Sequence, residues 1–302
     1  PKWLKDAIRD ESDLLSNSFW RDGTIRVAGR DFNGLAITAC YTAGTLSCQS
    51  CHAMHGDDPN DQLRPEARGD QVCADCHPKV AEDIEEHTHH SVTSSGSSCY
   101  NCHMPHTTVG LLKLIRSHRV DSPNAQRAAE TGRPTACNLC HIEKTQADVA
   151  EHLTAWYDHP PLTVPRPDPP GSAMVRLLLE GNAVQRGTAA WHLAWEPAIE
   201  TAGNTWQAPY LAQLLNDPYS AVRAIAHTSL IKMPGFENFE YDYTMAEELR
   251  RKAVVRATDQ WSGLPHSNVH RPDVWIQNGQ VERDVLLLLK SKRDDRPIRV
   301  NE

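Results

Sequence analysis

The pattern Cys-x-x-Cys-His occurs four times in this chain: Cys48-Gln-Ser-Cys51-His52, Cys73-Ala-Asp-Cys76-His77, Cys99-Tyr-Asn-Cys102-His103 and Cys137-Asn-Leu-Cys140-His141. Every CxxC pair is followed at once by a histidine, and that coupling constrains the fold more than anything else in the sequence. Three chemistries compete. Disulfides would close small loops, add little stability and leave the histidines without a purpose. Zinc would join Cys48/Cys51 to Cys73/Cys76 and Cys99/Cys102 to Cys137/Cys140, again with no need for a histidine behind each pair. Covalent c-type haem needs every position of the pattern. Two thiols add to the two vinyl groups on one edge of a porphyrin, and the two intervening residues set their separation. One tight helical turn then brings the next side chain beneath the ring, where an imidazole nitrogen reaches the iron. The sequence therefore predicts four covalently bound c-type haems. Cys48, Cys51, Cys73, Cys76, Cys99, Cys102, Cys137 and Cys140 are the thioether anchors, and His52, His77, His103 and His141 the proximal iron ligands.

Composition agrees. Only 39% of the 302 residues are hydrophobic, and only four are Phe, so a compact fold needs something besides side chains to fill its core; four porphyrins would. A net charge of −8 argues against a nucleic-acid partner, because a phosphate backbone is met by a basic face. The longest apolar run, Val285–Leu289, is far too short to cross a bilayer. Pro1-Lys-Trp-Leu-Lys has no cleavable apolar core. The expectation is an exported protein, periplasmic or extracellular, whose signal is not in this chain.

Each haem iron has a second axial position. Besides the proximal ligands, six of the 16 histidines precede His141: His55, His87, His89, His90, His106 and His118. Methionine is the rival ligand and raises the potential, but Met54 and Met104 lie too close to proximal histidines to reach their own haems easily. Mostly bis-histidine haems of low potential are expected, with His55, His87, His90 and His118 as distal ligands. His87 and His90 are placed on one face of a helix beginning near Val80. His55 lies too close to His52 to cross that ring and is assigned to a neighbouring haem. His89 and His106 read as surface residues or hydrogen-bond partners of haem propionates.

From about Arg21 to Tyr157 the chain resembles multihaem c-type cytochromes related to the tetrahaem cytochromes and the multihaem nitrite and hydroxylamine enzymes. The stretches that carry this are Ala39-Cys40-Tyr41, CQSCHAMH (48–55), HTHH (87–90), CYNCHMPHTT (99–108), Arg116-Ser-His118 followed by Asp121-Ser-Pro123, and the run from Gly132 to His141. The resemblance implies that a histidine three residues beyond CxxCH, a His-Thr-x-His cluster and an Arg-x-His triplet supply distal ligands. That again selects His55, His87, His90 and His118.

The units span residues 48–141, and a compact segment of that length has a radius of gyration of about 12 Å. A porphyrin is nearly as wide, so the rings must lie almost edge to edge and electrons can pass between them. The haem domain, 1–157, should be mostly loop, with short helices at each motif. Six prolines between Asp158 and Gly171 mark a linker. Beyond it, 172–302 reads as α-helical: a helix capped by Ser172, then helices over 184–195, 208–215, 220–232 and 280–292, with 233–280 less regular. Arg186, Ala190 and Leu193 recur as Arg223, Ala226 and Leu230 at offsets of 37, 36 and 37, a HEAT-like repeat. So few repeats should lean on the haem domain for support. The fold class is mainly α: a loop-rich multihaem domain followed by a HEAT-like domain.

The leading function is electron transfer between redox-partner proteins. One alternative is a nitrite- or hydroxylamine-type reductase with one open iron. Another is self-association into a haem-stacked conducting filament. Cys40 has no role in any of these readings.

Overall fold

In the computed structural model the described residues are 17–53, 55, 61–265 and 269–298. Met54, the start of the expected haem domain at 1–16 and His266 lie outside them.

The N-terminal half is built from short pieces. Helices of four or five residues cover Asp31–Leu35, Ala39–Thr42, Cys48–Cys51, Gln71–Ala74, Pro78–Glu82, Ile84–Thr88, Cys99–His103 and Ala136–Cys140. Longer ones follow at Ala125–Thr131 and Gln146–Tyr157, the latter opened by a capping box in which Thr145 and Asp148 bond each other's backbone N–H. Between residues 36 and 104 the sole buried apolar residue among those described is Ala67. Side chains alone do not supply a core there.

The continuous helix expected from Val80 through His90 does not form. It stops at Glu82, breaks at Asp83 (φ −118°, ψ 45°) and restarts as Ile84–Thr88. His89 then takes a left-handed conformation, φ 57°. His87 and His90 therefore leave the chain in different directions and do not share a helix face.

The apolar run before His118 folds as a β-hairpin, His106–Gly110 against Lys113–Arg116, with Val109 opposite Leu114. Its two-residue turn is Leu111-Leu112, both at positive φ (50° and 58°). Such turns normally advertise themselves by Asn or Gly, so the sequence carried no signal for this one. Val109 and Leu114 pack with Trp20, Val27 and Val184 in a small core.

Residues 158–171 contain no helix or strand. Ser172 ends this stretch; its Oγ accepts from the Val175 N–H (2.9 Å) and donates to the Ile142 carbonyl (2.6 Å). Helices follow at Ala173–Glu180, Ala183–His192, Glu196–Ala202, Ala208–Gln213, Ser220–Leu230, Glu247–Ser262 and Arg283–Ser291. The Glu247–Ser262 helix lies in the stretch expected to be irregular. It buries just Ala253, Ala257 and Trp261, a stripe of mostly small residues that gives little apolar periodicity. A two-stranded hairpin, Ile276–Gln277 with Gln280–Val281, delays the last helix to Arg283.

The recurring arginines make equivalent bonds. Arg186 Nη1 donates to the carbonyl of Gly181 (2.7 Å), and Arg223 Nη1 to that of Pro218 (3.0 Å), each five residues upstream. Arg186 also forms a two-pronged pair with Asp217, at 2.6 and 3.1 Å, with neither side chain exposed.

The two halves share surfaces. Leu139 and Ile142, from the last CxxCH region, belong to the C-terminal core. Arg26 donates to Asn182 (2.8 Å) and Gln185 to the Gly132 carbonyl (2.7 Å). The His106 ring packs against Trp191 and Trp195, which also flank His192. Burial pushes both histidines down to about 3. A histidine whose folded pKa lies below its unfolded value of about 6.5 gives stability that is whole above pH 6.5 and fades as the pH falls toward 3. Melts followed by circular dichroism should therefore show a midpoint falling across that window, and His192→Gln should flatten the slope. A slope unchanged by His192→Gln would place the acid sensitivity elsewhere.

Candidate functional site

Each CxxCH unit is one helical turn. The backbone N–H of His52, His77 and His141 donates to the carbonyl of the first cysteine of its unit at 2.8–2.9 Å, and His103 closes the Cys99–His103 helix. First cysteine and histidine are thus four residues apart on one face. Local caps start the turns: Ser47 and Ser50 form a capping box, and Thr135 Oγ1 accepts from the Asn138 N–H (3.2 Å). Arg116 clamps the third unit. It donates to the carbonyls of Tyr100 (2.9 Å) and Met104 (3.2 Å) and to Asn101 Oδ1 (2.9 Å), and lies over the Tyr100 ring.

All nine cysteines are unbonded to one another. Among the described residues no three or more His, Cys, Asp or Glu side chains converge on one point. Burial pushes the Cys73, Cys102 and Cys140 thiols up to about 12 and Cys137 to about 11. Neighbouring thiols add to this in a chain: Cys73 is hydrogen-bonded to Cys99 and influenced by Cys51, and Cys102 is influenced by Cys137. Successive units are in close contact.

The histidines come together in pairs, each joining a motif histidine to one from elsewhere. His52 and His118 stand 6.2 Å apart between ring centres, at 21°. His103 and His87 stand 6.1 Å apart at 15°, and His141 and His90 6.0 Å apart at 36°. A metal–imidazole bond is about 2.0–2.1 Å long, and a ring nitrogen lies roughly 1.1 Å from its ring centre, so two imidazoles trans on one metal have centres about 6.3 Å apart. The pairs hold a spacing close to that. Several rings are oriented from behind, as metal-binding histidines usually are. The Nδ1 of His52 bonds the Asp61 carbonyl (2.9 Å), that of His103 the Asp121 carbonyl (3.0 Å) and that of His90 the Thr88 carbonyl (2.6 Å). Each leaves Nε2 free. His118 Nδ1 lies 3.3 Å from the Asp31 carboxylate, whose pKa that contact lowers.

The Ala67 observation and these spacings fit a haem at the paired sites. The half of the chain that carries the CxxCH units is that of a multihaem c-type cytochrome. Comparisons with known proteins agree. Residues 41–82 match a doubled CXXCH motif and residues 93–158 match cytochrome c552. A multiheme cytochrome MtrA from Shewanella baltica (strain OS185) is 29% identical over 108 residues, 35% of this chain and 27% of that protein. The chain thus spans about a quarter of that curated relative. No solved structure matches.

Not every expected residue of this cytochrome sits in a pair. His55 is exposed and makes no ring contact with a described residue. His77 is likewise exposed, and among the described residues no ring faces it. His89 stacks on Trp156 at 4.3 Å. The sequence reading also missed two supports. Gly96 backs His90: a Cβ there would lie 2.4 Å from the His90 ring. Tyr157 donates to the His87 carbonyl (2.6 Å) and turns its ring toward that imidazole. Neither a lone glycine in a serine-rich loop nor a tyrosine at a helix end announces such a role.

Proposed function

We propose that this cytochrome carries electrons through four covalent c-type haems between redox-partner proteins. The observation that carries the reading is the set of three imidazole pairs at 6.0–6.2 Å, each containing one CxxCH histidine. In this reading Cys48/Cys51, Cys73/Cys76, Cys99/Cys102 and Cys137/Cys140 anchor the porphyrins, and His52, His77, His103 and His141 are proximal. His118, His87 and His90 are distal at the first, third and fourth sites. The haems supply reversible one-electron chemistry; the chain fixes their spacing and ligand field. The Cys73–Cys99 contact supports short steps between neighbouring rings. The C-terminal helices form a HEAT-like scaffold that braces the haem half. Covalent haem attachment places the protein outside the cytoplasm, in the periplasm or beyond, where exposed haem edges can meet partners or further copies. No described helix is long and apolar enough to cross a membrane.

The test is a haem assay joined to an EPR spectrum of the oxidised protein. Four haems per chain, with at least three low-spin irons, are expected. Fewer than four haems would overturn the reading. A reductase reading is supported by one observation: among the described residues no imidazole faces His77.

A further inference from the structure

Among the described residues three CxxCH histidines have a partner ring and one does not. His52, His103 and His141 are part-buried, and each faces a second imidazole. His77 and Cys76 are exposed, and among the described residues no ring faces His77. His55, the remaining histidine that the sequence offered as a distal ligand, is exposed and stands apart from every described ring. From this asymmetry we propose that the haem anchored at Cys73 and Cys76 keeps an exchangeable sixth position, and that small neutral donor molecules are its ligands. The inference rests on the four-haem reading above.

The neutral class follows from charge. Residues 70–90 contain Asp70, Asp75, Glu82, Asp83, Glu85 and Glu86 against the single base Lys79. All but Asp70 of these carboxylates are exposed. None of the six pairs with a described basic residue: Asp75 accepts from Gln71, Glu85 from the Val92 N–H and Asp70 from Ser98 and Cys99. Asp75 and the Pro78–Glu82 helix flank His77 in the chain, so several negative charges lie within a few residues of its ring. An anion approaching this iron is repelled over a distance set by the Debye length, about 30 Å at 0.01 M salt and about 3 Å at 1 M. A neutral molecule meets no such barrier. The same field argues against nitrite and other oxyanions as preferred ligands of this iron, whichever partner it serves.

The probes are carbon monoxide on the reduced protein and azide on the oxidised protein, read by optical difference spectra and EPR. One carbon monoxide per four haems is expected, along with a high-spin signal from one iron in four. Azide should bind weakly, gain several-fold in affinity between about 0.01 M and 1 M salt, and gain again at low salt in an E82Q/E85Q/E86Q variant. His55→Ala should leave the carbon monoxide stoichiometry unchanged. Four haems that are all low-spin and take up no carbon monoxide would overturn the inference while leaving electron transfer intact; a haem count below four would instead remove the reading beneath it. If His55→Ala raised uptake from none to one, His55 would be the sixth ligand. Azide binding indifferent to salt and to the carboxylate substitutions would overturn the assignment to His77.

Discussion

His90→Ala is expected to turn one haem of this cytochrome from low-spin to high-spin while the haem count stays unchanged. His90 faces His141 at 6.0 Å and is not part of a CxxCH motif, so its loss leaves both thioether anchors and the proximal ligand in place. Two strong-field imidazoles hold an iron low-spin; one imidazole and a water do not. The midpoint potential of that haem should rise as well, because axial ligation is a main lever on it. EPR with a mediated redox titration reads both effects. Gly96→Ala tests the same geometry from behind. The added methyl would lie 2.4 Å from the His90 ring, so the ring or the loop must shift, and a partial high-spin signal should appear. A His90→Ala protein with an unchanged spectrum would remove His90 from the ligand set.

The second large effect is on stability and lies in the C-terminal helical half. Arg186 and Asp217 are wholly buried and joined by two hydrogen bonds. Asp217→Ala leaves a buried guanidinium without its countercharge. Breaking a buried pair from one side costs about 3–5 kcal/mol. The Asp217 carboxylate also accepts from the Tyr219 N–H (2.9 Å), so the turn into Ser220–Leu230 loosens too. Urea unfolding of the helical half, followed by far-ultraviolet circular dichroism, should show this loss with the haem spectra intact in the folded protein. A cost below about 1 kcal/mol would mean that water or Asp295, 3.6 Å from Arg186, takes over the charge.

Much of the site was legible because covalent chemistry is local. A CxxCH unit needs one helical turn, and five consecutive residues encode it; Ser47, Ser98 and Thr135 at the turn starts add to the signal. The C-terminal helices were legible for a related reason. Ser172 caps the first, and apolar residues at helical spacing mark the rest. The hairpin at 106–116 was not legible, since its Leu111-Leu112 turn violates the usual residue preference. Nor was the Glu247–Ser262 helix, whose buried stripe is mostly alanine.

The sequence by itself determined the four CxxCH motifs and the c-type haem chemistry they signal, because a motif depends only on spacing along the chain. Only the tertiary structure decided how the histidines pair. His118 reaches His52 across 66 positions of sequence, and His87 and His90, three positions apart, turn to different partners because Asp83 breaks their helix and His89 reverses the backbone. Trans ligation joins residues that are close in space and free to be distant in sequence, and no local propensity records which two will meet.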